Sequence, residues 1–89
     1  MNDVARRVLS VTAKSIAAAA ETLPCGFDAA VDAVLQTRGR LVFSGLGKSG
    51  IICRKLAATF SSTGTPAYFV HCADALHGDL GMIDRDDTV

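Results

Sequence analysis

The sequence has no surplus of charge, no paired pattern of cysteines and no long apolar run. Nine lysine and arginine residues balance nine aspartate and glutamate residues, so a concentrated basic face for nucleic acid is not expected. The three cysteines, Cys25, Cys53 and Cys72, lack CxxC spacing, which argues against a disulfide framework or a zinc knuckle. Free thiols are typical of a reducing compartment, so we expect a cytoplasmic protein. No stretch approaches the roughly 18–20 apolar residues that a membrane span requires.

Helical periodicity dominates the first part of the chain, which we interpret as an N-terminal helical segment over residues 1–38. Apolar residues recur at helical spacing across 3–22, and Pro24 is expected to end this helix. A second apolar stripe predicts a helix over 27–38, with Gly39 as its stop. With 49% apolar and 20% charged residues, the composition is that of a folded globular domain.

Strand-forming sequence follows the helices, and residues 39–89 are predicted to begin an α/β domain. The apolar run 40–44 has no helical period and suits a strand buried on both faces. A glycine-rich turn over 45–50, a helix over 50–61 and a second buried strand over 67–70 come next. A strand, a helix and a strand in this order form a βαβ unit with parallel strands.

The predicted sheet is short of strands. A short helix is expected near 73–77, and Thr88 and Val89 can open a third strand. Parallel sheets are normally covered on both faces, and two short strands leave an unpaired edge. We therefore expect these residues to form the first part of an incomplete domain, an N-terminal fragment that self-associates.

The glycine-rich turn, Gly45-Leu-Gly-Lys-Ser-Gly50, matches the spacing of the dinucleotide-binding fingerprint. In that fingerprint, backbone N–H groups at a helix start hold a pyrophosphate. It also requires an acidic residue at the end of the second strand, where this sequence has Val70-His71-Cys72. A Walker A loop is excluded because Val42 occupies the position of its first glycine. A nicotinamide-binding domain is therefore the least favoured of the functional interpretations.

Lys48, His71 and His77 are the candidates for chemistry. Lys48 lies beyond the carboxyl end of the first strand, where a cation can neutralise a phosphate or an oxyanion. His71 follows the second strand at the same edge, and His77 lies six residues further on. Taken singly, each has an ordinary interpretation as a solvated lysine or a hydrogen-bonded structural histidine. Parallel strands would bring all three to one crevice, and this convergence favours ligand binding.

Longer strings of sequence resemble one protein family. In chain order they are Gly45-Leu-Gly-Lys-Ser-Gly50, Lys55-Leu-Ala-Ala-Thr-Phe-Ser-Ser-Thr-Gly-Thr-Pro66, Phe69-Val-His71 and Ala75-Leu-His-Gly-Asp-Leu-Gly-Met82. They resemble the arabinose-5-phosphate isomerases, which are members of the sugar isomerase (SIS) domain family. The resemblance runs without a gap from Arg40 to Val89, and the two leading helices fit the family's N-terminal helical segment.

The resemblance implies a parallel five-stranded, flavodoxin-like sheet with helices on both faces, in a protein that forms homo-oligomers. It implies interconversion of D-ribulose 5-phosphate and D-arabinose 5-phosphate, feeding synthesis of the Kdo sugar of lipopolysaccharide or capsule, with no required cofactor. Carried over by position, Lys48 matches the active-site lysine. The substrate-contacting positions match Gly64, Thr65, His71 and His77, and His71 also matches a position that can bind zinc.

The family's serine-rich phosphate loop, two catalytic glutamates and a further histidine follow the third strand, beyond the positions matched here. We therefore expect no isomerase turnover from these 89 residues alone. The alternative is a non-catalytic sugar-phosphate-binding module, because some SIS domains are regulatory.

Overall fold

The computed structural model describes all 89 residues as two compact units, Met1–Ala30 and Val31–Val89. The elements, in chain order, are helix α1 (Asn2–Glu21), helix α2 (Phe27–Leu35), strand β1 (Leu41–Phe43), helix α3 (Gly47–Ser62), strand β2 (Ala67–Phe69), helix α4 (Cys72–Leu76) and a 3₁₀ helix (Asp79–Met82). The order of the helices and strands is the one that the sequence predicts. The proposed domain division after residue 38 stays a prediction.

α1 is an amphipathic helix with an exposed apolar face. Val4, Val8 and Val11 recur at helical spacing, and no residue of the helix is buried. The helix ends where the Thr22 amide donates to the Ala19 carbonyl at 3.2 Å instead of continuing the regular ladder. None of the helices in the chain combines the length and the hydropathy needed to cross a membrane.

α2 ends at Leu35, before the predicted boundary at residue 38. The Thr37 hydroxyl donates to the Ala33 carbonyl at 2.8 Å and so satisfies a carbonyl near the helix end. The same hydroxyl lies 2.7 Å from the Thr88 hydroxyl. The hydroxyl of Thr37, which the apolar periodicity does not register, therefore satisfies a carbonyl near the end of α2 and contacts the C-terminal segment.

β1 and β2 pair in parallel, as the βαβ pattern predicts. Leu41 lies opposite Ala67, and Phe43 lies opposite Phe69. The Phe43 ring stacks on Phe60 of α3 with 5.5 Å between centroids, so α3 covers this face of the sheet. The buried apolar side chains of the core are Leu41, Val42, Ala57 and Val70.

A second segment pairs with the opposite edge of β1. Thr88 forms a parallel bridge with Leu41, at the position where a third strand is predicted to begin. The Val42 amide donates to the Thr88 carbonyl at 2.8 Å, and the Thr88 amide donates to the Arg40 carbonyl at 3.0 Å. β1 is therefore paired on both sides, whereas β2 has one edge without a partner in this chain.

The loop after β1 packs directly on α3 through two glycines. Gly50 is buried, and a Cβ atom added there would lie 2.8 Å from the Gly45 carbonyl oxygen. A Cβ atom added to Gly45 would lie 3.0 Å from the Gly50 nitrogen. The glycine spacing that matches a dinucleotide fingerprint therefore serves close packing of loop and helix here.

A buried carboxylate fastens the segment after the 3₁₀ helix to the start of β1. The Asp87 side chain is 2% exposed, and its oxygens accept hydrogen bonds from the Arg40 amide at 2.7 Å and the Asp84 amide at 2.8 Å. These two amides hold the pKa of Asp87 below its usual value of 3.8. The Arg40 guanidinium lies 3.9 Å from the Asp87 carboxylate and 4.4 Å from the centre of the Tyr68 ring. Asp87 and Arg40 thus connect the segments that lie on the two sides of β1. Asp87 belongs to the segment next to Thr88, and Arg40 contacts Tyr68 of β2.

We expect Asp87→Asn to lower the melting temperature, because one accepting oxygen becomes a donor that faces a backbone N–H. Since the folded-state pKa is lowered, the carboxylate stabilises the fold above its unfolded pKa, and this stabilisation is lost as pH falls through the folded pKa. Acid below about pH 4 should therefore destabilise the parent chain more than the variant. Thermal melting followed by circular dichroism across pH measures this. Asp86→Asn is the control, and equal acid sensitivity of parent and Asp87→Asn would contradict the assignment.

We expect Gly50→Ala to lower the free energy of unfolding by about 1–3 kcal/mol, the usual cost of forcing a methyl group into a packed contact. The added methyl meets the backbone of Gly45, which cannot rotate away as a side chain could. Urea denaturation measures the change. Gly81→Ala is the matched control, because a Cβ there meets no atom within 4 Å. Similar stabilities of the two variants would show that the close contact is not needed.

Candidate functional site

The structure places Lys48 in the first turn of α3. Gly47 begins the helix with a φ of +56°, and Leu46 precedes it in an extended conformation. The Gly50 amide donates to the Leu46 carbonyl at 3.1 Å and closes the first helical turn. The predicted helix start at residue 50 is therefore wrong, because the positive φ of Gly47 turns the chain from strand to helix earlier.

Lys48 is an exposed cation without an ion pair in this chain. It follows the carboxyl end of β1, at the edge that the βαβ pattern predicts. The amino end of α3 adds the positive end of its helix dipole to the lysine charge. Because no carboxylate of the chain neutralises it, Lys48 is suited to an anionic ligand.

His71 follows β2 and caps α4. Its backbone is extended, and its Nδ1 accepts a hydrogen bond from the Ala73 amide at 3.2 Å. The neighbouring Val70 amide donates to the Phe43 carbonyl at 2.9 Å, so the ends of β1 and β2 stay paired. His71 and the loop that leads to Lys48 therefore leave the sheet at the same edge.

An aromatic ring connects α3 with His71. The Phe69 ring meets the imidazole edge-on with 6.4 Å between centroids, and the Arg54 guanidinium carbon lies 4.2 Å from the centre of the same ring. Arg54 is not among the residues that the sequence singles out, because a cation–π contact between a helix and a strand has no characteristic spacing. The Arg54 guanidinium is thus a second cation beside β2, the strand that ends just before His71.

His77 lies at the other end of α4. Its side chain is exposed, and its amide donates to the Asp74 carbonyl at 3.0 Å as the helix ends. Gly78 follows with a φ of +128°, which only glycine adopts readily, and turns the chain into the 3₁₀ helix. The helical rise separates the backbones of His71 and His77 by about 9 Å. The two histidines are therefore not adjacent partners on one helix face.

Gly64 and Thr65 lie at the end of the sheet where the strands begin, whereas Lys48 and His71 lie at the end where the strands finish. They precede β2, where Gly64 has a φ of +98° and the Thr65 amide donates to the Phe60 carbonyl at 2.9 Å. α3 spans 16 residues, so roughly 20 Å of helix separates Gly64 from Lys48. The structure thus brings Lys48 and His71 to one edge and keeps Gly64 and Thr65 away from it within one chain.

The residues of this chain do not form a zinc centre by themselves. No group of three or more histidine, cysteine, aspartate or glutamate side chains is placed to hold a metal ion. A protein zinc site normally uses three or four such ligands. Nε2 is the one ring nitrogen of His71 without a hydrogen bond, because Nδ1 accepts a hydrogen bond from the Ala73 amide. Zinc binding at His71 stays a prediction that would need ligands from outside these residues.

The chain is similar to proteins of known class along most of its length. Residues 34–89 match the SIS domain family. Arabinose 5-phosphate isomerase GutQ of Escherichia coli K12 is 48% identical over 84 residues, which cover 94% of this chain and 26% of that protein. The chain spans about a quarter of the length of the curated relatives that it matches.

Two solved structures share the fold. An E. coli CFT073 protein in complex with A5P is 42% identical with a TM-score of 0.86, over 98% of this chain and 46% of that one. A Bacteroides fragilis NCTC 9343 protein, described as a candidate phosphosugar isomerase involved in capsule formation, is 32% identical with a TM-score of 0.77, over 94% of this chain and 46% of that one. These matches confirm the resemblance and the α/β fold with parallel strands. The chain belongs to the SIS domain family.

Proposed function

We propose that this chain contributes to an aldose–ketose isomerase that interconverts D-ribulose 5-phosphate and D-arabinose 5-phosphate. The observation that carries the proposal is the match to the E. coli CFT073 protein solved with A5P, at 42% identity over 98% of this chain. Relatives named arabinose 5-phosphate isomerase support the same reaction. Because the chain spans about a quarter of those relatives, the proposal concerns the part of the site that these residues build.

The proposed reaction moves a proton between neighbouring carbons. From the ketose, a base takes a proton from C1, and the C–H electrons form an enediolate whose charge rests on the C2 oxygen. The proton of the C1 hydroxyl then moves to the C2 oxygen, and a proton returns to C2 as C1 becomes the aldehyde carbon. Lys48 is the proposed catalytic cation, which stabilises the negative oxygen or the phosphate. His71 and His77 are the proposed hydrogen-bonding contacts to the sugar.

We propose that Gly64 and Thr65 contact a sugar phosphate that Lys48 and His71 of a second copy hold. Within one chain, roughly 20 Å of α3 separates the two sets, more than the length of a pentose phosphate. Self-association is favoured by the exposed apolar face of α1 and by the unpaired edge of β2. On this proposal, the substrate site is complete only in the assembly.

We also propose that the product supplies Kdo for lipopolysaccharide or capsule, and that the protein works in the cytoplasm. The description of the Bacteroides fragilis protein as involved in capsule formation supports the first point. Three free cysteines fit a reducing compartment and support the second. No cofactor is proposed, because proton transfer through an enediol needs acid and base groups and no electron carrier.

A non-catalytic sugar-phosphate-binding module is the second candidate. Its support is the chemistry of the edge itself, where Lys48 and His71 provide a cation and a hydrogen-bonding group. These groups suffice to bind a phosphorylated sugar without transferring a proton. Both candidates predict binding at the same place, so affinity and turnover must be measured on the same material.

We expect Lys48→Met to weaken binding of arabinose 5-phosphate by about tenfold or more, because a hydrogen bond to a charged group contributes about 1.5–3 kcal/mol. Isothermal titration calorimetry on the 89-residue chain measures the affinity. Lys55→Met is the matched control, since Lys55 is an exposed lysine two turns further along α3. Equal losses in both variants would argue against a specific role for Lys48.

We expect the 89-residue chain alone to show no turnover of ribulose 5-phosphate in a coupled assay. Tight binding without turnover would favour the sugar-phosphate-binding module. Rapid conversion would refute the expectation that the chain alone is inactive.

We expect the chain to self-associate and the paired change Val8→Glu with Val11→Glu to shift it towards monomer. Both valines lie on the exposed apolar face of α1, where a charge would resist burial against another copy. Light scattering after size-exclusion chromatography, over a range of concentrations, reports the mass. Ser10→Glu, on the polar face of the same helix, is the control. A parent chain that stays monomeric at every concentration would refute the assembly.

A further inference from the structure

We infer that capping of α4 holds the His71 side chain as its Nε2–H tautomer, so that zinc ligation by His71 and capping of α4 exclude each other. The role of a cation or donor at this edge does not determine which ring nitrogen carries the proton. The hydrogen bond from the Ala73 amide determines which nitrogen is protonated, and it thereby restricts metal binding at His71.

The tautomer follows from a single hydrogen bond. Nδ1 of His71 lies 3.2 Å from the Ala73 amide nitrogen, and that amide is a donor. A neutral imidazole has one accepting and one donating nitrogen, so an accepting Nδ1 leaves the proton on Nε2. No buried side-chain nitrogen or oxygen of the chain lacks a hydrogen-bond partner. Nε2 of His71 has no such partner, so it is not buried and is open to solvent or to a ligand.

The ring is also fixed in orientation. The Phe69 ring lies edge-on to the imidazole, with 6.4 Å between centroids and 78° between planes. The Arg54 guanidinium carbon lies 4.2 Å from the centre of the same phenyl ring, and this second contact helps to fix the position of Phe69. Turning the imidazole over to present Nδ1 outward would remove the acceptor from Ala73. The cap and the aromatic contact therefore favour one orientation of His71.

Zinc ligation conflicts with this arrangement at either nitrogen. A metal on Nδ1 would displace the Ala73 amide directly. A metal on Nε2 would require that nitrogen to lose its proton, which a neutral ring does by moving the proton to Nδ1, where it would face the donating amide. Metal-bound histidines normally donate their second ring N–H to an acceptor, and here the second nitrogen meets a donor instead. Zinc at His71 must therefore uncap α4.

The capped tautomer suits a hydrogen-bond donor. Nε2–H can donate to a sugar hydroxyl or carbonyl oxygen, whereas a zinc ligand must present a lone pair. This assignment of Nε2–H to the sugar rests on the proposed function. The tautomer and its conflict with zinc rest on the contacts of His71 alone.

Nitrogen-15 NMR of the labelled 89-residue chain tests the inference, since His71 and His77 are its two histidines. At mildly alkaline pH, where imidazoles are neutral, we expect a pyridine-type Nδ1 and a pyrrole-type Nε2 for His71. His77 is the internal reference, because its side chain forms no hydrogen bond in the chain. A protonated Nδ1, or tautomer averaging equal to that of His77, would overturn the assignment.

Hydrogen exchange of the Ala73 amide in three variants tests the cap without any measurement of enzyme activity. His71→Ala should raise the exchange rate of the Ala73 amide about fivefold, the effect of losing a typical N-cap. His71→Asn keeps a capping acceptor and should exchange nearly as the parent chain does. His77→Ala should leave Ala73 unchanged. Unchanged exchange of the Ala73 amide in His71→Ala, or an equal loss of protection in His77→Ala, would overturn the capping role.

Zinc chloride alone, added to the parent chain, tests the exclusion. Either His71 resonances stay unchanged, or they shift together with loss of Ala73 protection; both results agree with the inference. Zinc-shifted His71 resonances with full Ala73 protection would overturn it. Arabinose 5-phosphate is added separately, and a shift at Nε2 is expected. Absence of any sugar-phosphate effect would count against the proposed function while the tautomer result stood.

Discussion

β1 is three residues long, yet backbone hydrogen bonds hold both of its edges. β2 occupies one edge in parallel register, and Thr88 occupies the other. This double pairing buries Leu41 and Val42 and sets the direction in which the loops leave the sheet. The first turn of α3 and the cap of α4 lie at the same end of the sheet because the strands that precede them end side by side. The chemistry at this edge therefore depends on backbone pairing between very short strands.

Much of this arrangement can be predicted from the sequence. Apolar runs with strand-forming residues, separated by an amphipathic helix, predict the βαβ unit, and parallel strands then assign Lys48 and His71 to one edge. The structure has that order and that parallel pairing. The prediction succeeds because strand direction follows from connectivity, which the sequence displays directly. It needs no knowledge of side-chain conformation.

Features that depend on rotamers and tertiary contacts were not predicted. The positive φ of Gly47 moves the start of α3, and the acceptor role of Nδ1 in His71 depends on one ring orientation. The contact between Arg54 and Phe69 joins elements whose spacing carries no signal. The separation of Gly64 from the lysine edge follows from the length of α3, which becomes informative only when the helix is placed on the sheet.

The link between Arg40 and Asp87 joins residues 47 positions apart. During synthesis, the N-terminal side of β1 is made long before the carboxylate that anchors it. α3 and β2 can reach β1 earlier, but one edge of β1 stays unpaired until the Asp87–Thr88 segment leaves the ribosome. The nascent chain therefore passes through a stage in which this strand edge is exposed and open to pairing with other chains.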